Sequence, residues 1–261
     1  MALYPTISII TVTYNAAEWI EQTARSILQQ IYPHLEWIVI DGASTDDTLD
    51  MVRQHGQSSP IHCRWLSEPD QGIYDAMNKG LTMATGDYVW FVNAGDMIYS
   101  PHTIQQMTDA LSSGEMPDIL YGETAIINAQ GDSTGMRRLQ APEILTWQSF
   151  RMGMLVCHQS FIVKRTLAPH FDLQYRFSSD IDWCIRSMKK SGNIYNTHQI
   201  LSKFLEMESG TTAANHKSSL QERYRIMCCY YGTIPTIIRH LWFAIRFFGK
   251  NFSNIFAHFR K

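Results

Sequence analysis

Cysteine is scarce in this chain, and none of the five residues is spaced as C-x-x-C. Cys63, Cys157, Cys184, Cys228 and Cys229 form an odd, scattered set, which speaks against a disulfide framework and fits reduced cytosolic thiols. No apolar stretch reaches the ~18 to 20 residues that a membrane-crossing helix needs. The opening residues, Met1-Ala2-Leu3-Tyr4-Pro5, lack the basic n-region of a secretory leader, so the expected location is the cytoplasm. Neither G-x-G-x-x-G nor G-x-x-x-x-G-K-[ST] occurs, which argues against a dinucleotide oxidoreductase or a P-loop NTPase. Internal repeats and low-complexity runs are missing as well.

One end lacks acidic groups. Seven of the 22 Lys and Arg, and none of the 24 Asp and Glu, fall between Arg223 and Lys261. The rest of the chain is therefore acidic, which does not suit a nucleic-acid partner. A basic, aromatic end instead points to something anionic, above all a membrane surface.

What is present is an alternation of buried strands and amphipathic helices. Ile7 to Val12, Leu35 to Ile40, Ile61 to Leu66 and Tyr88 to Val92 read as strands. The helix after the first places Ile20, Ala24, Ile27, Leu28 and Ile31 on one face, with Asn15 as N-cap and Glu18 completing a capping box. Ser44 or Thr45 is the expected cap of the second helix, with Asp46 and Asp47 at its positive end. The third carries Ile73, Ala76, Met77, Leu81 and Ala84 on a core stripe, leaving Asp75, Asn78 and Lys79 off it. A β-α-β-α-β-α-β series implies a doubly wound, mostly parallel sheet with right-handed crossovers. Ligands of such sheets collect beyond the carboxyl ends of the strands, where Thr13, Tyr14, Asp41, Asp70 and Asn93 fall. Asn93-Ala94-Gly95-Asp96 breaks its strand with an amide, two small residues and a carboxylate able to hold a hard cation. A further strand is expected over Ile119 to Ile127.

Residues 1–127 form the expected nucleotide-binding half, 128–222 a less regular second half, and 223–261 a basic amphipathic tail. In the second half stand Cys157-His158-Gln159-Ser160 and Phe177-Ser178-Ser179-Asp180-Ile181-Asp182-Trp183. There Asp180 sits at a helix entrance, where a cap and a catalytic group are both open readings. In the tail Ile238, Leu241, Trp242, Ile245 and Phe248 take helical spacing, with Arg239, Arg246 and Lys250 largely on another side. That pattern fits an interfacial helix, a helix packed on the core, or a dimer contact.

The motifs Ile7-Ser8-Ile9-Ile10-Thr11-Val12-Thr13-Tyr14-Asn15, Asp41-Gly42-Ala43-Ser44-Thr45-Asp46, Gly72 to Gly80, Gly86-Asp87-Tyr88 and Asn93-Ala94-Gly95-Asp96 come in one order. In that order and spacing the chain resembles the inverting family 2 glycosyltransferases of the GT-A fold, particularly those of bacterial surface-polysaccharide assembly. The resemblance implies transfer of a sugar from a nucleotide-sugar donor, commonly UDP-linked, to a glycan or lipid-linked acceptor. It implies that Tyr14 borders the base, Asp41 accepts hydrogen bonds from it, Asn78 and Lys79 flank the nucleotide and Asn93 meets a ribose hydroxyl. Asp180 matches the family's catalytic base. His158, Gln159 and Asp182 are candidate acceptor or diphosphate contacts, and His158 also reads as a core histidine. Asn93-Ala94-Gly95-Asp96 takes the place of the metal-binding D-x-D, with Asn at its first acidic position and Gly at its third. Asp96 is then the remaining direct ligand for Mg²⁺ or Mn²⁺. A nucleotidyltransferase of related architecture, or a sugar-nucleotide-binding protein without transferase activity, are the competing readings. Membrane attachment through the tail and self-association are both compatible with the chain.

Overall fold

The computed structural model describes residues 4–111, 116–206 and 215–242. The Glu208-Ser209-Gly210-Thr211 loop and the tail beyond Trp242, with Ile245, Arg246, Phe248 and Lys250, lie outside the described residues.

Strands β1 (Ile7–Thr13) and β2 (Leu35–Asp41) are buried along their whole length, as their continuous β-branched runs require. With β3 (His62–Ser67) and β4 (Tyr88–Phe91) they make a parallel sheet in the order β3-β2-β1-β4. The crossovers are α1 (Ala17–Leu28), α2 (Thr48–Ser58) and α3 (Ile73–Met83). Side-chain alternation divides the interior into two cores. Ile9, Trp37 and Trp90 meet Ile20, Ala24 and Ile27 of α1 on one face. Ile10, Ile38 and Phe91 meet Met77 and Leu81 of α3 on the other. α3 lies close against β1 because Gly80 has no side chain; a Cβ there would fall 2.4 Å from Ile10 Cγ2.

The sheet does not stop at residue 127. β5 (Met97–Ile98), α4 (Thr103–Asp109), β6 (Ile119–Ile127), β7 (Ser133–Met136), β8 (Phe161–Lys164), α5 (Ser179–Lys190) and β9 (Ile194–Leu205) follow. β8 joins β4 antiparallel, β6 joins β8, and β9 lies between β6 and β5 in the same nine-stranded sheet. The expected boundary at 127/128 thus falls between the paired strands β6 and β7. α6 (His216–Tyr231) and a helix over 233–242 follow β9. Among the described residues no helix is long and apolar enough to cross a membrane.

Several local expectations are corrected. α1 has Ala16, not Asn15, at its N-cap, and Asn15 takes a positive φ of 45°. α2 starts at Thr48 with Asp47 at its N-cap, so neither Ser44 nor Thr45 caps it. The two loops cap across each other instead. Asp46 and Thr48 accept from the amides of Ala17 and Ala16, Ser44 Oγ accepts from Asn15 N, and Asn15 Oδ1 accepts from Thr45 N. Ile31 lies past the end of α1 and is 53% exposed. Ile73, expected on the core stripe, lines the cleft described next.

Candidate active site

A cleft of about 690 Å³ opens beyond the carboxyl ends of β1 and β4. That volume falls within the usual range for small-molecule sites. Thr13, Tyr14, Trp19, Asp70, Asn93 and Arg176 are among its lining residues. Tyr14 is 63% exposed, a free aromatic face at the rim. Thr13 Oγ1 and Asn93 Oδ1 are buried and have no partner among the described residues. Two orphaned oxygens in one cleft call for a polar ligand, because a buried acceptor left unpaired is costly.

The turn carrying Asn93 is built on α1. Thr23 Oγ1 donates to Asp96 O (2.7 Å) and accepts from Gly95 N (2.9 Å). Gly95 has φ +98°, and a Cβ would meet Leu205 of β9 at 3.0 Å, so this position disfavours a carboxylate. Asp96 is buried, and Gln159 Nε2 donates to its Oδ2 at 3.0 Å. Burial pushes its carboxyl up to about 6, against the opposing pull of His158 and Gln159.

Asn93 leads directly to the candidate base. Its Nδ2 lies 3.3 Å from His158 Nε2, and the other ring nitrogen, Nδ1, faces Asp180 Oδ2 at 3.4 Å. Tyr74 of α3 donates its hydroxyl to Asp180 Oδ1 (3.2 Å), and Ile181 N donates to the same oxygen (3.0 Å). Burial raises the Asp180 carboxyl, but His158 and the charge of Arg223 outweigh it and hold the group below its ordinary value. It is thus an ionised acceptor at neutral pH. His158 thus lies between Asn93, which lines the cleft, and Asp180.

The remaining candidates sit elsewhere. Asp41 is fully buried and accepts from Ser44 N, Ser44 Oγ and Ser67 Oγ at 3.0, 2.5 and 2.7 Å, tying two strand-end loops together. Asn78 clamps the backbone of Phe171 through both amide atoms (3.0 and 2.6 Å). Lys79 Nζ is held by Glu68 Oε1 and Pro69 O, each at 2.9 Å. Asp182 accepts from Tyr230 Oη and Arg186 Nε, both at 2.6 Å. None of these four lines the cleft. Two others do line it: Asp70, which its position after a strand end already places at this edge, and Arg176, which precedes the Phe177-to-Asp180 run and carries no local signal.

Among the described residues no group of three or more His, Cys, Asp or Glu could hold a metal ion. One carboxylate, Asp96, and the unpaired Asn93 Oδ1 nevertheless fit a hard cation that takes most of its oxygens from substrate phosphates and water. A divalent charge would also favour ionised Asp96, which burial alone disfavours.

The fold is a mostly parallel α/β sheet whose polar cleft lies beyond the strand ends, where such sheets bind their ligands. Residues 8–168 match the model of the family described as glycosyl transferase family 2, and the chain belongs to that family. The PGL/p-HBAD biosynthesis glycosyltransferase of Mycobacterium bovis is 31% identical over 193 residues, covering 70% of this chain and 69% of that relative. Bacillus subtilis TuaG, named for teichuronic acid biosynthesis, is 25% identical over 82% of this chain and 84% of its own. S. aureus TarS 1–349 in complex with UDP-GlcNAc superposes with a TM-score of 0.64 at 17% identity over 85% of this chain. The chain spans 66% of the length of that structure, and the likeness establishes a GT-A-like fold.

Proposed function

We propose that this glycosyltransferase moves a sugar from a UDP-sugar to a hydroxyl of a glycan or lipid-linked acceptor, with inversion, in cell-surface polysaccharide assembly. The observation that carries the reading is the Asn93–His158–Asp180 chain, which joins the donor cleft to a buried carboxylate. The base would lie against Tyr14 and the ribose near Thr13 and Asn93. Arg176 would meet the diphosphate at the rim. Asp41 would act at one remove, by shaping the loop beneath the base, and Asn78 by fixing the position of α3. Lys79 and Asp182 belong to the frame of the site.

In the transfer, Asp180 takes the proton of the acceptor hydroxyl as its oxygen bonds to the anomeric carbon. The bond from that carbon to the diphosphate oxygen breaks, and the electron pair leaves with the diphosphate. A single in-line displacement inverts the centre. General-base help of this kind is worth ~10²- to 10⁴-fold. Tyr74 and His158 fix the carboxylate's orientation, and Arg176 gains strength as charge grows on the leaving group. Asp96 and Asn93 would hold Mg²⁺ or Mn²⁺, which when bound would neutralise that same charge.

Ile234, Ile237, Ile238, Leu241 and Trp242 are all exposed on the helix over 233–242. They support attachment of the protein to the cytoplasmic face of the membrane through this segment.

The test is turnover of UDP-sugars by the full chain and by Asp180→Asn. Loss of transfer with unchanged UDP affinity is expected. Normal turnover by the variant would reject Asp180 as the base. UDP binding without transfer by the unmodified chain, with or without EDTA, would favour a binding protein; sugar-nucleotide synthesis would favour a nucleotidyltransferase.

A further inference from the structure

A second cavity, of about 120 Å³, is lined by Arg151, Arg223, Arg239 and His240, with Leu220 and Met227 among its apolar residues. Its lining includes no carboxylate. None of the three arginines forms an ion pair among the described residues. The Nε atoms of Arg151 and Arg223 are both buried and lack an acceptor among those residues. Arg151 is held in place over the Tyr231 ring, 5.4 Å from its centroid. His240 Nδ1 donates to Thr236 O at 2.9 Å, which leaves Nε2 uncommitted by that bond.

A solvated basic face would spread these charges apart. Here three guanidinium groups from three segments converge on one small cavity, an arrangement that costs free energy unless an anion offsets it. Guanidinium forks match phosphate oxygens in geometry as well as charge. A cavity of about 120 Å³ is several times what a single water molecule needs, enough for a phosphate group.

Its place between two other features narrows the ligand. On one side, α6, which carries Arg223, is tied to the entrance of α5 beside Asp180: Phe177 N donates to Glu222 Oε2 at 2.8 Å and Ser178 Oγ to Ser219 O at 3.2 Å. On the other, Arg239 and His240 belong to the helix that exposes Ile234, Ile237, Ile238 and Leu241. A ligand fitting all three has a reacting sugar, then a phosphate ester, then an apolar chain. We propose that Arg151, Arg223, Arg239 and His240 form the binding site for the phosphate ester that links the acceptor sugar to its lipid. This rests on the transferase reading, and it assigns to one site the anion that a lipid-linked acceptor must carry.

The experiment measures binding of farnesyl diphosphate to the full chain by calorimetry, without nucleotide, alongside farnesol and inorganic pyrophosphate. Farnesyl diphosphate is expected to bind more tightly than either. The Arg151→Gln/Arg239→Gln variant should bind it about 10- to 100-fold more weakly, as lost charge-assisted bonds dictate, with UDP affinity unchanged. Should the variant fail to fold, arginine modification of the unmodified chain replaces it: farnesyl diphosphate should protect Arg223 and Arg239 but not the surface residue Arg53. Equal binding by variant and parent, or no protection, overturns the proposal. Pyrophosphate binding as tight as the ester would mean a free-anion site, and would overturn the lipid assignment. The same holds if phosphatidylglycerol vesicles protect these arginines as well as the ester does. UDP binding is measured separately, so its absence would sink the transferase reading while leaving this result readable.

Discussion

Glu36 offers the sharpest quantitative test of how the sheet is held together. It lies in β2, nearly fully buried, and accepts from Ser8 Oγ (2.5 Å), Thr85 N (2.6 Å), Thr85 Oγ1 (3.0 Å), Gly86 N (3.0 Å) and Arg64 Nη2 (2.7 Å). These bonds join β1, β2, β3 and the turn entering β4 at one carboxylate. Burial alone would raise its pKa, but the hydrogen bonds prevail and bring it from 4.5 down to about 2. At 1.36 kcal/mol per unit, that difference corresponds to about 3 kcal/mol of stability. The folded pKa is the lower one, so this stability is fully present above 4.5 and disappears as pH falls toward about 2. In Glu36→Gln the amide presents donors where Arg64 or the Thr85 hydroxyl also donates. The variant should therefore lose about 3 kcal/mol at neutral pH, within the range for breaking a buried pair. Urea unfolding followed by tryptophan fluorescence at several pH values measures the gap between the two chains. It should hold steady from pH 7 to about 5 and narrow by about 1.5 kcal/mol at pH 3.5. A gap that stays constant across that range, or widens in acid, would refute this account of Glu36.

Other expectations follow from the same geometry. Gly80→Ala must push α3 off β1 and should destabilise by about 1–3 kcal/mol in a melt; an unchanged melting temperature would contradict the close approach. Tyr14→Ala, at an exposed rim residue, should weaken UDP binding about tenfold without altering stability, since a stacked base is worth about 1–3 kcal/mol. His158→Gln removes the main group that keeps Asp180 low, so the acid limb of the kcat–pH profile should move to higher pH; no movement would separate His158 from the base. Deleting residues 233–261 should abolish sedimentation with vesicles, and retained binding would show that the attachment lies elsewhere.

The parts of this fold legible in sequence were those governed by local periodicity. β1, β2 and β4 are mostly apolar and buried on both faces, with Glu36 an exception within β2, and α1 and α3 carry stripes that match their cores apart from Ile31 and Ile73. The capping of α1 was not legible, because its partners Asp46 and Thr48 come from the next loop; a side chain three residues away was the wrong place to look. The site divides in the same way. Thr13, Tyr14 and Asn93 were placed by strand ends and do line the cleft. Asp180 was placed by resemblance, but its partners Tyr74 and His158 meet it only through tertiary packing. Asp41 and Asn78 look alike in sequence, as polar residues at a strand end or off the core stripe of a helix. Their different duties depend on whether Ser67 and Phe171 reach them in space. Gly86, quoted as part of a motif, is explained by packing: a Cβ would meet Thr6 O and Ser8 Oγ, both at 2.7 Å.

β5, two residues long, begins immediately after Asp96 and pairs with Ser202 and Lys203 of β9, while Leu205 packs on Gly95. The loop that would grip the donor is therefore braced by a strand from the second half of the chain. A chimaera that exchanged everything after β8 to acquire a new acceptor would also replace this brace. Changes of specificity in such a scaffold should arise more readily through surface loops than through wholesale transplant, because β9 also braces the Asn93-to-Asp96 turn.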